Sequence, residues 1–548
     1  MAWTDTTKTW EYHRPIHRIN SPCYDEEREP VSGKGYGRGC HAPSDGPTDT
    51  ELGDRTKAVA RGIPGWVTVL NEDEQELEGM LDRSFQTYHD IPLYQWHRYY
   101  DWNFHVAPIK GYQYVRGLGN ESTADKIETM ECEWDCGSFG LGRDPMFNYT
   151  DWRWPMTGHY CWFAGRWIYD CGHASTYDKS GDNEGLMRTE LHPCKAVAWA
   201  QWEAVSFPEN GGLYVPGIRF HFFASRLGGY KDFAAINARD YEFIVDLPRL
   251  QGSGVQQMSL ERTPDFPMST TVLRTVRLLH KTTFVAGALG KSHETKPIIT
   301  EMPPASPGEL AEQVKVTIPL SGQPADDDYY HVIIDFGWLD PDRSQARRVK
   351  HCRVEFVDIL KGSINHDTFD EEWKIKFGVN GRWYSRKFKG VENGKKLPLN
   401  QPVDFYLSED DAISVTAHGH EIDYLDDAFQ LKKEDRLLTL DGQVMDWDKD
   451  IVPASGQRLK KMCYAFVDIV KWRTKDYNEE LQKVDPEKGA PNNPYHVRNM
   501  DGINNMPLSQ TALTTKTVTI YEEEKEITIV DYYLNYRLSI NSQKVPEP

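Results

Sequence analysis

The chain lacks the features that would assign it quickly. No apolar run approaches the ~18 residues needed to span a bilayer. Met1-Ala2-Trp3-Thr4-Asp5 opens without the apolar stretch of a secretory leader, so the expectation is a soluble chain with no signal peptide in the sequence as given. There is no low-complexity block, P-loop, GxGxxG, HExxH or GxSxG elbow. Those absences remove the commonest nucleotide, dinucleotide, metalloprotease and serine-hydrolase readings. Basic residues are in deficit: 63 Lys and Arg against 83 Asp and Glu leave a formal charge of −20. A general nucleic-acid or anionic-membrane binder needs a basic face, so neither is favoured. The nine cysteines are an odd number without a CxxC, which does not make a small-secreted disulfide framework. Five of them fall between 132 and 194, where free thiols and bridges are both open.

What is present is length and aromatic content. The 548 residues predict three to four domains at roughly 150 residues each. An apolar fraction of 39% with 17 Trp excludes disorder for most of the chain. Residues 1–70, rich in Gly, Pro, His and charge, read as an extended arm with Trp3, Trp10 and Tyr12 as anchors. Residues 71–90 read as an amphipathic helix. Asn71 and Glu74 make a capping-box-like start, and Leu77, Met80, Leu81, Phe85 and Tyr88 follow at helical spacing. Beyond residue 90 short aromatic and β-branched runs alternate with Gly, Pro, Asn and Asp, without regular βαβ alternation. The fold class is therefore mainly β, several barrel or sandwich domains in tandem behind one helix. The expected units are a barrel over 91–210, a sandwich over 211–345, and two further sandwiches over 346–432 and 445–548.

The last two come from an internal repeat. Arg348-Val349-Lys350 with Phe356–Lys361 recurs 110 residues later as Arg458-Leu459-Lys460 with Phe466–Lys471, seven identities in 14 positions. A second matched pair of runs follows in each copy, around an acidic turn. The segment Trp373–Trp383, followed by Asp410-Asp411, resembles the C2-like sandwiches of uncharacterised bacterial multidomain proteins. That resemblance implies Ca²⁺ between end loops, with Asp367, Asp370, Asp410 and Asp411 as candidate ligands. Solvated acidic loops are the competing reading.

Residues with the chemistry of a site gather between 97 and 192. In Asp101-Trp-Asn-Phe-His105, side chains of period two put Asp101, Asn103 and His105 on one strand face. In Glu131-Cys-Glu133-Trp-Asp135 the three carboxylates share a face, which is costly if buried without a cation, Arg or solvent. Gly165-Arg166-Trp-Ile-Tyr-Asp170-Cys-Gly-His173 is a β run ending in Asp. In Thr189-Glu190-Leu-His192-Pro193, Glu190 and His192 again share a face. The order of these elements resembles a module of the same uncharacterised bacterial β proteins, with the pattern GxWxxDxxH followed by E[LI]HP. The resemblance spans roughly 95–205 and implies a small OB-like barrel. The chain departs from it by a ten-residue insert, Ser175–Glu184.

His nitrogen with carboxylate oxygen suits Zn²⁺, Mn²⁺ or Fe²⁺. The expected ligands are Asp101, His105, Asp170, His173 and His192. Glu190 is the expected general base, Glu133 the second candidate base, and Arg166 the anion-orienting group. This reads as a metal-dependent hydrolase with a phosphoester the most natural substrate. The same residues also read as a structural polar network. A non-catalytic protein for glycan or protein binding is the alternative, since nine of the 17 Trp lie between 96 and 202 and exposed rings stack on sugars.

Overall fold

The structure is a computed structural model. It describes residues 16–18, 67–68, 75–86, 102–109, 111–117, 120, 129–134, 154–156, 159–169, 189–225, 239–248, 276–285, 292–304, 310–323, 329–339, 343–362, 371–408, 412–421, 436–446, 506–520 and 523–546. The fold is mainly β, in several sheets.

Five strands close a barrel. They are β1 (Gln75–Gln86), β2 (Trp102–Pro108), β3 (Met130–Trp134), β4 (Tyr160–Tyr169) and β5 (Thr189–Trp202). β1 pairs antiparallel with β2 and β4, β2 pairs with β3, and β4 with β5. A parallel pairing of β3 with β5, Glu131 opposite Glu190, shuts the ring. One parallel contact in an otherwise antiparallel five-stranded ring is the topology of an OB-like barrel. Leu77, Leu81, Phe104, Val106, Cys132, Trp134, Phe163 and Leu191 are fully buried in its core. Each such side chain contributes about 1.5–3 kcal/mol on leaving water.

The helix expected over 71–90 is overturned in its described part, because Gln75–Gln86 is the first barrel strand. Leu77 and Leu81 are four apart, which fits one turn of helix and equally two pleats of a strand. Pairing on both sides of β1 decides between them.

The barrel does not end at residue 210. After His192, β5 leaves β3 and pairs instead with β6 (Gly217–Ser225), Ile218 opposite Trp202 and Ala224 opposite Ala196. Three more strands complete the description of this region: β7 (Tyr241–Asp246), β8 (Arg277–Phe284) and β9 (Ile298–Glu301). With β10 (Gln313–Ile318) and β11 (Tyr329–Leu339) they form two layers. The sheet runs on from β6 through β11 to β8, and a separate sheet of β7, β10 and β9 packs across it. Trp162 of β4 meets Tyr241 and Phe243 of β7 at 5.7 and 5.2 Å between ring centroids. Barrel and sandwich thus share a strand and a core. The short strands Ile16–Arg18 and Val67–Thr68 add to β7 and β4, so these parts of the N-terminal arm lie along other units.

The C-terminal sandwich has strands β12 (Val349–Lys361), β13 (Glu371–Val379), β14 (Arg382–Val391), β15 (Lys396–Ser408), β16 (Ala412–Glu421), β17 (Arg436–Asp446), β18 (Met506–Ile520) and β19 (Glu523–Ser542). One sheet is ordered β15-β12-β19-β18 and the other β14-β13-β16-β17. The described strands of 445–548 therefore do not build a second sandwich; β19 pairs with β12 and completes the first. The second copy of the repeat, 458–471, lies outside the described residues. Asn380 and Gly381, with φ of 46° and 77°, make the tight turn between β13 and β14. That turn seats the sandwich on the barrel: Trp154 N–H donates to Gly381 O at 3.3 Å, and Trp383 meets Trp102 edge-on at 5.1 Å. His418 is buried at this junction, 5.6 Å from the Trp102 ring.

Candidate metal centre on the barrel face

Strands β2, β3 and β5 each present an apolar side to the barrel core. Their other side is polar. Register puts His105 opposite Glu131 and Asn103 opposite Glu133, while Glu131 faces Glu190 across the parallel pair. Two rungs result. One reads His105, Glu131, Glu190. The next reads Asn103, Glu133, His192. All six residues are at most 8% exposed, so their charge cannot be left to solvent.

His192 is the hub. Its Nδ1 lies 2.9 Å from Glu133 Oε2 and 3.4 Å from Glu190 Oε1. Burial pulls the His192 pKa down, but the charges and hydrogen bonds of Glu133 and Glu190 outweigh it and hold the pKa well above the usual histidine value. One ligand atom from each of these three residues lies within 4.8 Å of the other two, a spacing that can hold a metal ion. On the neighbouring rung His105 Nε2 is 3.6 Å from Glu131 Oε1, and Asn103 Nδ2 donates a short hydrogen bond to the same oxygen.

Local bracing fixes where β5 begins. Thr189 Oγ1 donates to Val115 O at 2.6 Å and accepts from Gly117 N–H at 2.8 Å. Asn120 Oδ1 accepts from Gly117 N–H and Thr189 N–H, and its Nδ2 donates to Thr189 O. Both ends of the Asn120 side-chain amide are thus committed to structure. Trp167 Nε1 donates to Val115 O at 2.9 Å, tying β4 to the same turn. On the other flank Gly165 lets β4 and β5 touch. A Cβ there would sit 2.7 Å from Pro193 O and 2.9 Å from Cys194 Cα. Ile168 is opposite Glu190, so alternation along β4 places Arg166 on the polar side, beside the His192–Pro193 step.

The structure thus brings together Glu133, Glu190, His192 and His105 from the residues the sequence singled out, while Arg166 lies on the adjacent strand at the register shift beside the His192–Pro193 step. Glu133 and Glu190, expected as bases, stand with His192 in the ion-competent group. His105, expected as a ligand, is one rung away. Asp101, Asp170, His173, Asp367, Asp370, Asp410 and Asp411 lie outside the described residues. Cys132, Cys161, Cys194 and Cys352 are buried free thiols, and Cys194 Sγ points to Leu191 O at 3.4 Å. Trp102, Trp134, Trp154, Trp162 and Trp199 are fully buried, which makes them core and not a sugar platform. Sequence reasoning missed the Asn120–Thr189 bracing. The two residues are 69 apart in the chain, and no local pattern announces such a contact.

No family model matches the chain, and no curated protein matches it. Among solved structures, the SMP, C2A and C2B domains of Extended-Synaptotagmin 2 align over 90% of this chain and 94% of their own, at 7% identity and a TM-score of 0.15. At that score the likeness carries nothing about fold or function. Among the described residues no helix is long and apolar enough to cross a membrane.

Proposed function

We propose that the chain is a metal-dependent hydrolase whose divalent ion is held by Glu133, Glu190 and His192. The convergence of these three ligand atoms within 4.8 Å, on a buried face, is the observation that carries the reading. Three protein ligands with positions left over is the usual form of a catalytic site for Zn²⁺, Mn²⁺ or Fe²⁺. When bound, the ion would supply Lewis-acid polarisation of a substrate oxygen. His105, beside Glu131, is suited to hold or take a proton next to the ion. Arg166, on the opposite flank, would bind an anionic group, which favours a phosphoester over a neutral ester. Five of the nine tryptophans between 96 and 202 are core and do not offer a glycan platform.

The test is elemental analysis of the purified protein, with thermal melts before and after EDTA. About one transition-metal ion per chain is expected, with a fall in melting temperature on chelation that Mn²⁺ or Zn²⁺ reverses. His192→Ala should abolish the response. A metal-free protein whose melting ignores EDTA and added metal sinks the proposal.

A further inference from the structure

The polar face holds one buried acceptor that the Glu133–Glu190–His192 group leaves unused. Asn103 is 2% exposed, and its Oδ1 has no hydrogen-bond partner. The orientation of this amide is set by chemistry. Its Nδ2 donates to Glu131 Oε1, and a carboxylate oxygen takes a hydrogen bond only from the NH₂ side. The carbonyl oxygen is therefore turned away from Glu131. Register puts Asn103 opposite Glu133, and two residues so paired have Cα atoms ~4.5–5.5 Å apart. Glu133 is in turn the carboxylate closest to His192, at 2.9 Å. A buried carbonyl without a donor is destabilising unless something occupies it, and a cation does so as well as an N–H.

We infer that Asn103 Oδ1 is a fourth protein donor to the ion, and that it raises the preference of the site for Mn²⁺ relative to Zn²⁺. The inference rests on the metal reading above. With Asn103 the donor set becomes one imidazole nitrogen and three hard oxygens. Carboxylate and carbonyl oxygens suit Mn²⁺, which accepts a larger shell, whereas Zn²⁺ is satisfied at four positions and can fill the last with water. Removing the amide oxygen therefore weakens Mn²⁺ more than Zn²⁺.

The experiment is calorimetric titration of the full-length, metal-free protein with MnCl₂ and, separately, ZnCl₂. Asn103→Ala should weaken Mn²⁺ by about tenfold or more, the scale of losing a supporting polar group at a metal, and change Zn²⁺ by less than about threefold. Asn103→Asp, which keeps an oxygen in place, should hold or tighten Mn²⁺ and covers the case in which the alanine variant fails to fold. Glu131→Ala removes the partner that orients the amide, so Mn²⁺ affinity should fall by about tenfold or more, as for Asn103→Ala. Equal losses for both metals in Asn103→Ala would overturn the assignment and leave Asn103 as a positioning residue. If Glu190→Gln and His192→Ala abolish binding while Asn103→Ala leaves Mn²⁺ untouched, this inference alone falls. If the parent binds neither ion, both fall.

Discussion

Strand β5 carries a buried charged cluster at each end, and the two are built differently. Near its start, Glu190 and His192 join Glu131, Glu133, His105 and Asn103. Just past its end, Glu203 joins Arg219, Asp335, Arg382 and Gln201. Arg219 grips Asp335 with two prongs, Nε to Oδ1 at 2.5 Å and Nη2 to Oδ2 at 2.9 Å. Its Nη1 reaches Glu203 Oε1 at 2.7 Å, which Arg382 Nη2 also contacts at 2.8 Å. Gln201 donates to the second oxygen of Glu203 at 2.5 Å. Two guanidiniums meet two carboxylates, so the far cluster is neutral within itself. Burial lowers the Arg219 pKa, but Glu203 and Asp335 more than reverse this, and it stays charged. The near cluster gathers two carboxylates, Glu133 and Glu190, on one imidazole, His192. The far cluster holds a sheet and a docked sandwich together; the near one presents ligand atoms at a spacing that can hold a metal ion.

The largest expected effect falls on the balanced cluster. Arg219→Met strands Asp335 in a dry setting, while Arg382 and Gln201 still hold Glu203, and should cost about 3–5 kcal/mol in urea unfolding. Glu190→Gln, by contrast, relieves like charge while keeping shape, so the metal-free protein should change by no more than about 1 kcal/mol. Its affinity for the ion should still fall at least about tenfold in calorimetry. If Glu190→Gln unfolds the protein as readily as Arg219→Met, the two clusters are the same kind of network and the contrast is void. Gly165→Ala tests the steric frame between them. The added methyl meets the backbone of Pro193 and Cys194, and a loss of about 1–3 kcal/mol is expected, accompanied by weaker metal binding as His192 shifts.

Two histidines of opposite sign should set the pH dependence of stability. His331 is fully buried among apolar groups, and burial pushes its pKa down to about 3. The unfolded chain takes up that proton near pH 6.5 and the folded chain only near 3. The contribution of this group is present above pH 6.5 and is lost as pH falls towards 3. His331→Phe should flatten the stability profile across that window. His192 has a raised pKa, so its contribution in EDTA is full below pH 6.5 and is lost as pH rises through the folded value. His192→Gln should remove that alkaline-side decline. Urea midpoints measured at stepped pH check both, and parallel profiles for the two variants would refute the assignment.

Much of the candidate face was legible in short segments. Asn103 and His105, Glu131 and Glu133, Glu190 and His192 were each paired on one side by strand alternation, and the structure places each pair so. The roles within the face were not legible. Glu133 bears on His192 because β3 lies beside β5, and those strands are joined only after β4 intervenes. The helix over 71–90 failed for a related reason: a spacing of four does not distinguish a helical turn from two pleats. The tandem-sandwich reading rested on matching words, and such words recur wherever a strand has the same in–out pattern. Pairing of β19 with β12 showed that the described end of the chain closes the first sandwich. The shared strand β5 was invisible as well, because a continuous β run does not say when it changes partners.

The sequence by itself determined that this is a β protein, which side of each strand is polar, and where the residues with metal-binding chemistry gather. Alternation within a strand is a local property of the extended backbone, so seven residues suffice to state it. Only the tertiary structure decided which of those polar sides meet, that the barrel is closed by a parallel contact, and that Glu133 and Glu190 converge on His192. Those outcomes depend on register between segments tens of residues apart. That register is set by closing the ring around its aromatic core, not by any one segment.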